Sequence, residues 1–184
     1  MIILVIMKTN KVIVITGSSS GIGLATANFL CNKGYKIYGV ARREFESDKF
    51  ISYQGDVCDR ERMSEIFKDI YSREGKIDVL INNAGMGISG AIEYISDKDL
   101  NTIFEVNAKA VIKNCALILP YLRESKGKII NISSVAAPIS IPFQACYSAT
   151  KSAVETFSMA LSNEVKKQRL IIYCVVIVMF FAMG

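Results

Sequence analysis

Residues 11–23 read Lys-Val-Ile-Val-Ile-Thr-Gly-Ser-Ser-Ser-Gly-Ile-Gly. Lys11 to Thr16 is a short β-branched run ending in a glycine- and serine-rich loop, the pattern of a parallel strand buried on both faces. Ile22 to Asn32 then shows helical spacing, and Gly34 follows as a stop. Gly17, Gly21 and Gly23 let the backbone turn tightly. A helix N-terminus behind such a loop offers free N–H groups and partial positive charge to an anion such as a pyrophosphate. The spacing is GxxxGxG, neither GxGxxG nor the phosphate loop GxxxxGK[ST]. A plain strand–helix turn could carry the same glycines. The context of strand, loop, helix and second strand decides for dinucleotide binding.

The same alternation continues along the chain. Strands are expected at Lys36–Val40, Phe50–Gln54, Ile77–Ile81, Lys128–Ile132 and Leu170–Ile177. Helices are expected at Asp59–Arg73, with Met63, Ile66, Phe67 and Ile70 on one face, and at Tyr147–Lys166. A long helical stretch runs from Asp97 to Leu122 and is expected to break near its end at Pro120. Strands alternating with helices give an α/β class: a doubly wound parallel sheet in three layers, the Rossmann fold. No linker or repeat divides it, so residues 1–184 read as one domain.

The second strand runs into Ala41, Arg42 and Arg43. A site selective for NAD places an acidic residue here to hold the ribose 2′-hydroxyl. Two guanidinium groups instead suit a 2′-phosphate by charge and fork geometry, which favours NADP(H) over NAD(H). The alternative is a pair of solvated arginines, with Glu44 partly offsetting their charge.

Bulk properties narrow the chemistry. The 184 residues are 51% hydrophobic and 21% charged, a globular composition with a mild net charge of +5. Lys166, Lys167 and Arg169 suit a helix C-terminus rather than a nucleic-acid surface. Cys31, Cys58, Cys115, Cys146 and Cys174 are scattered and form no CxxC pair, as expected of reduced thiols in a cytoplasmic protein. Histidine is absent, which excludes His-based triads and His metal sites; no metal site is expected. Proton transfer must come from Tyr, Lys, Asp, Glu or Cys.

At this point the residues resemble a family. Thr16-Gly17-Ser18-Ser19-Ser20-Gly21-Ile22-Gly23 is similar to the cofactor loop of the short-chain dehydrogenases/reductases. The resemblance continues in order through Asp56-Val57, Asn82-Asn83-Ala84-Gly85, Asn107, Ser134 in Asn-Ile-Ser-Ser, and Tyr147-Ser-Ala-Thr-Lys151. It implies that Gly17, Ser19, Ser20, Gly21, Ile22 and Gly23 hold the cofactor's phosphates, with Arg42 and Arg43 beside them. It implies that Asp56 and Val57 meet the adenine, and that Asn83, Ala84 and Gly85 border the cofactor. Tyr147 and Lys151 would also touch the cofactor.

The chemistry of the last set stands beside the resemblance. Tyr147 and Lys151 are four apart, one turn of a helix. A tyrosine hydroxyl titrates near 10, and a neighbouring ammonium favours its phenolate, so the pair can run acid–base chemistry without histidine. The family mechanism implies hydride transfer between nicotinamide and a carbonyl or alcohol carbon. Tyr147 moves the proton, Ser134 holds the substrate oxygen, Lys151 tunes Tyr147 and holds ribose hydroxyls, and Asn107 holds a relay water.

The sequence departs from the family after Ile177. A Pro-Gly turn is usual there; Val178 to Gly184 reads Val-Met-Phe-Phe-Ala-Met-Gly. The expectation is a C-terminally shortened member lacking the last helix and strand, with 1–7 as an N-terminal extension and 178–184 as an atypical tail. A homodimer through the helices carrying Asn107 and Tyr147 is expected. Two rivals to a working oxidoreductase follow: an NADP-binding dimerisation module without turnover, and a tail anchor built from Leu170–Gly184. That segment is shorter than the roughly 20 apolar residues of a membrane span. Met86, Pro142 and Phe143 are expected to line an apolar substrate pocket, without naming the substrate.

Overall fold

A computed structural model describes residues 10–177. The expected N-terminal extension and atypical tail fall on residues that lie outside those described. Six strands form one sheet: β1 (Val12–Thr16), β2 (Lys36–Ala41), β3 (Ile51–Gln54), β4 (Val79–Asn82), β5 (Lys128–Ser134) and β6 (Ile171–Ile177). Every neighbouring pair is parallel, and the order is β3-β2-β1-β4-β5-β6. Helices α1 (Gly21–Asn32), α2 (Arg60–Glu74), α3 (Asp97–Phe104), α4 (Ala110–Ser125), α5 (Ala136–Ile139) and α6 (Ala145–Val165) accompany it.

The β-branched strands explain the layers. Side chains alternate between sheet faces. Val12, Val14, Tyr38, Val40, Leu80 and Ile129 face one way and pack against apolar residues of α2, α4 and α6. Ile13, Ile15, Ile37, Val79, Ile81 and Ile130 face the other way and pack against Ala27 and Leu30 of α1. Both faces of β1 are therefore buried, as its uninterrupted apolar run requires.

Local chemistry sets the helix ends. The Asp59 carboxylate accepts the Arg62 N–H at 2.9 Å and caps α2. Gly75 closes the same helix in the left-handed region at φ 67°. Met63, Ile66, Phe67 and Ile70 form its buried stripe.

Several element ends shift by a residue or two from those expected, and two differences have a physical cause. The long helical stretch does not break at Pro120; α4 runs through it to Ser125. Proline removes the bond to the carbonyl four residues back, here Ala116, and both residues lie on the exposed side where water can take that carbonyl. The interruption comes earlier, as a π-helical turn at Glu105–Lys109 that buries Asn107. β4 also begins later than expected. Asp78 precedes it, and its carboxylate accepts the Val12 N–H at 2.9 Å and pairs with Lys11 at 2.6 Å. No helix among the described residues is long and apolar enough to cross a membrane.

Candidate active site

Strand order reverses between β1 and β4, so their crossovers leave in opposite directions and open a crevice at the carboxyl ends of the strands. A cleft of about 640 Å³ lies there, a size within the roughly 300–1,000 Å³ typical of ligand sites.

The glycine loop forms its floor. Gly17 sits at φ 69° and donates its N–H to the Val40 carbonyl at 2.8 Å, tying the loop to the end of β2. A Cβ on Gly17 would lie 2.9 Å from Ala84 Cα. A Cβ on Gly23 would collide with the Gly17 carbonyl and the Asn83 amide. The loop is thus pressed onto the Asn83–Gly85 turn with no space for side chains. Thr16 makes the joint: its Oγ1 accepts the N–H groups of Asn83 and Ala84, each at 3.1 Å. Asn83 returns the contact, its side-chain amide donating to the carbonyls of Thr16 at 2.9 Å and Gly17 at 3.3 Å. The side chain of Asn83 is therefore a clamp on the glycine loop. The Ser20 side chain makes no capping bond to α1, and no acidic residue occupies the first turn, so the helix start stays open to an anion.

Gly17, Ser19, Ser20, Ile22 and Gly23 line the cleft, as do Arg42, Arg43, Asp56, Val57, Asn83, Ala84, Gly85, Tyr147 and Lys151. Arg42 and Arg43 are exposed at its edge, and neither forms an ion pair within the described residues. Asp56 Oδ1 accepts the Cys58 N–H at 2.9 Å, which fixes its carboxylate at the wall. Gly21 contributes backbone shape at φ 53° rather than lining.

Tyr147 and Lys151 meet on one face of α6. The Lys151 ammonium lies 5.8 Å from the centre of the Tyr147 ring. Lys151 is only 6% exposed. Its Nζ donates to the Ile132 carbonyl at 2.9 Å, leaving two donors for the cleft. Burial brings its amine down to about 8. Gly85 keeps the neighbouring space clear: a Cβ there would stand 3.6 Å from Lys151 Nζ and 3.3 Å from Asn107 Oδ1.

Asn107 and Ser134 do not line the cleft. Asn107 Oδ1 accepts the Met86 N–H at 2.9 Å, and its Nδ2 donates to the Met86 carbonyl at 2.8 Å and to Thr150 Oγ1 at 3.3 Å. Its side chain thereby ties the turn after β4 to α6. Ser134 ends β5 and is buried; its Oγ accepts the Ala136 N–H at 3.2 Å, which leaves the hydroxyl proton free to donate. Of the expected substrate wall, Met86 lines the cleft, but Pro142 and Phe143 do not. Phe143 is 68% exposed, its backbone carbonyl accepting the Gly90 N–H at 2.8 Å, so its ring points away from the wall it was expected to form. Residues that the motifs do not mark, among them Gly55, Val106, Ile132, Ser133 and Ile177, also line the cleft. For Gly55 a signal existed, since it precedes Asp56; the others are strand or helix residues placed by register.

The fold and cleft define a class: a doubly wound parallel α/β sheet with a Tyr–Lys pair in the crevice at its switch point. The model of the short chain dehydrogenase family matches residues 11–180, and the chain belongs to that family. It is 42% identical over 157 residues to a 3-ketodihydrosphingosine reductase of Bacteroides thetaiotaomicron, a match covering 84% of this chain and 58% of the relative. It is 31% identical to an NADPH-dependent 1-acyldihydroxyacetone phosphate reductase of Saccharomyces cerevisiae, across 86% of this chain and 57% of that one. The chain thus spans less than three fifths of the length of these curated relatives. Among solved structures, a 3-ketoacyl-(acyl-carrier-protein) reductase from Brucella melitensis complexed with NADH superposes with a TM-score of 0.88 at 26% identity, covering 92% of this chain and 75% of that one.

Proposed function

We propose that this chain is an NADP(H)-dependent oxidoreductase acting on a carbonyl or alcohol. The observation that carries this reading is the convergence of Tyr147 and Lys151 on the same cleft as the clamped glycine loop and the two arginines.

The residues fit the cofactor. The Gly17–Gly23 cradle admits a backbone-hugging pyrophosphate, and the α1 start supplies N–H donors. Arg42 and Arg43 would hold the 2′-phosphate, and Asp56 and Val57 the adenine. One relative's name carries NADPH and one related structure carries NADH, so the preference rests on this chain's arginines. When bound, the nicotinamide supplies or accepts the hydride. Tyr147 gives its phenolic proton to the substrate oxygen during reduction and takes it back during oxidation. The Lys151 ammonium favours negative charge on that phenolic oxygen, and its remaining donors can hold ribose hydroxyls. Ser134, although it does not line the cleft, keeps its hydroxyl proton free at the end of β5 and is assigned the donor to the substrate oxygen. The reductase names of the two relatives favour the direction of carbonyl reduction.

Tyr147→Phe tests the assignment. It should abolish NADPH oxidation with a panel of ketones while NADPH affinity stays within about two-fold of wild type. Wild-type turnover in the variant would remove Tyr147 from this role.

A further inference from the structure

Lys151 faces the cleft on one side and a polar seam on the other. β5 and α6 are laced at several points. Lys151 Nζ holds the Ile132 carbonyl at 2.9 Å. At the next residue of β5, Ser133 Oγ lies 2.8 Å from the Glu155 carboxylate and 3.4 Å from the Lys151 carbonyl. Glu155 follows Lys151 by one turn of α6, so the two side chains leave the same flank of the helix. Ser133 lines the cleft, so this bridge begins at the site itself.

The seam continues behind the pair. On β6, the Cys174 thiol lies beside the hydroxyls of Ser133 and Ser158 and within electrostatic reach of both Glu155 and Lys151. Ser158 accepts from Asn131 at 2.9 Å, and Asn131 accepts from Asn82 at 2.9 Å. Polar groups buried in an apolar layer cost stability unless paired, and these are paired.

The groups facing Lys151 can be named element by element. Its own helix carries Tyr147 one turn before it and Glu155 one turn after, and β6 presents Cys174. β5 presents a backbone carbonyl, the turn after β4 presents Gly85, and the π-helical turn presents the neutral Asn107. Glu155 carries the one carboxylate of this set. Burial works against the Lys151 ammonium; a half-buried carboxylate one helical turn away, bridged to the strand that holds the ammonium, works for it by charge.

Resting on the hydride-transfer reading above, we propose that Glu155 is a positioning residue for Lys151. Ser133 holds its carboxylate in the β5–α6 seam, where the charge favours the ammonium and the bridge fixes the helical turn that carries it. Nothing in the YxxxK spacing announces this, because the contact depends on Ser133 meeting α6 across 22 residues of chain.

Two variants separate charge from bridge. Glu155→Gln can still accept the Ser133 hydrogen bond but carries no charge. Ser133→Ala keeps the charge and frees the carboxylate to swing into water. The direct readout is the pH dependence of Lys151 acylation, followed by mass spectrometry without cofactor. Glu155→Gln should move the labelling midpoint toward acid by at least about 0.5 pH unit, roughly a three-fold change in proton affinity. Ser133→Ala should move it the same way by less, and Glu155→Asp should restore most of the wild-type midpoint. The pH profile of NADPH-dependent turnover should shift in parallel for Glu155→Gln. Wild-type midpoints in both Glu155→Gln and Ser133→Ala would overturn the proposal. Labelling needs no turnover, so absent NADPH oxidation in the wild type would sink the functional reading alone.

Discussion

Replacing Thr16 with valine probes the joint that holds the two cofactor loops together. The side chain keeps its shape and loses one oxygen. That oxygen accepts two backbone N–H groups at 3.1 Å, from Asn83 and Ala84, and donates to the Ile81 carbonyl at 3.4 Å. An abandoned buried donor costs about 1–3 kcal/mol. Asn83 and Ala84 are only half-buried, so water recovers part of the loss and each falls at the low end of that range. The added methyl returns less than about 1 kcal/mol. The net expected loss is about 2 kcal/mol, read as a lower urea midpoint at unchanged m-value. The Asn83 side chain still clamps Thr16 and Gly17, so the cleft loosens without collapsing and NADPH affinity should drop by up to about ten-fold. A variant within about 0.5 kcal/mol of wild type, with unchanged NADPH affinity, would refute the view that this hydroxyl sets the loop spacing.

Other outcomes follow from the same geometry. Gly23→Ala drives a methyl into the Gly17 carbonyl, so NADPH affinity should fall by at least about ten-fold in a fluorescence titration; retained affinity would count against the cradle. Arg42→Ala with Arg43→Ala should weaken NADPH about ten- to a hundred-fold and leave NADH within about two-fold, whereas equal losses for both cofactors would remove the 2′-phosphate from the account. Burial holds the Lys151 amine at about 8, below its ordinary 10.5, so the folded protein gives up this proton before the unfolded chain does. Below about 8 both states bind the proton and the folded state bears the whole cost of burying an ammonium, about 3 kcal/mol. Between about 8 and 10.5 the unfolded state binds more protons, so this contribution to stability rises with pH. The stability of wild type relative to Lys151→Met should therefore improve by about 2 kcal/mol from pH 7.5 to 10 in urea unfolding. The thiols of half-buried Cys58 and buried Cys115, held high by desolvation, act in the opposite sense but are common to both proteins. A difference that does not change with pH would contradict the buried ammonium.

Much of this could be seen in the sequence where local chemistry fixes structure. Lys11–Thr16 reads as a strand because a run apolar at every position fits only a doubly covered sheet. The Asp59 cap and the Gly75 stop are decided within one turn of helix. The glycine loop is legible because its positive φ angles and close approaches tolerate no side chain. What escaped the sequence depends on partners far along the chain. Pro120 reads as a break until the carbonyl it frees is seen to face water. Asp78 passes unnoticed within the expected Ile77–Ile81 strand until it is found holding the Val12 N–H and Lys11. Phe143 reads as pocket lining because it is apolar and near Tyr147 in sequence, yet a left-handed backbone at φ 62° takes it into solvent. Asn83 lines the cleft, and its side chain also spends both donors on the loop beneath, a contact the sequence does not announce.

Hydride transfer is the claim on which the rest depends. It is tested most directly by incubating the protein with NADPH carrying deuterium at the transferable C4 position and a panel of ketones. The masses of the alcohols are then measured. The account predicts one deuterium on the carbinol carbon of at least one product. Tight NADPH binding with no deuterated alcohol anywhere in the panel would contradict it, and would leave the chain as a module that binds the cofactor without using it.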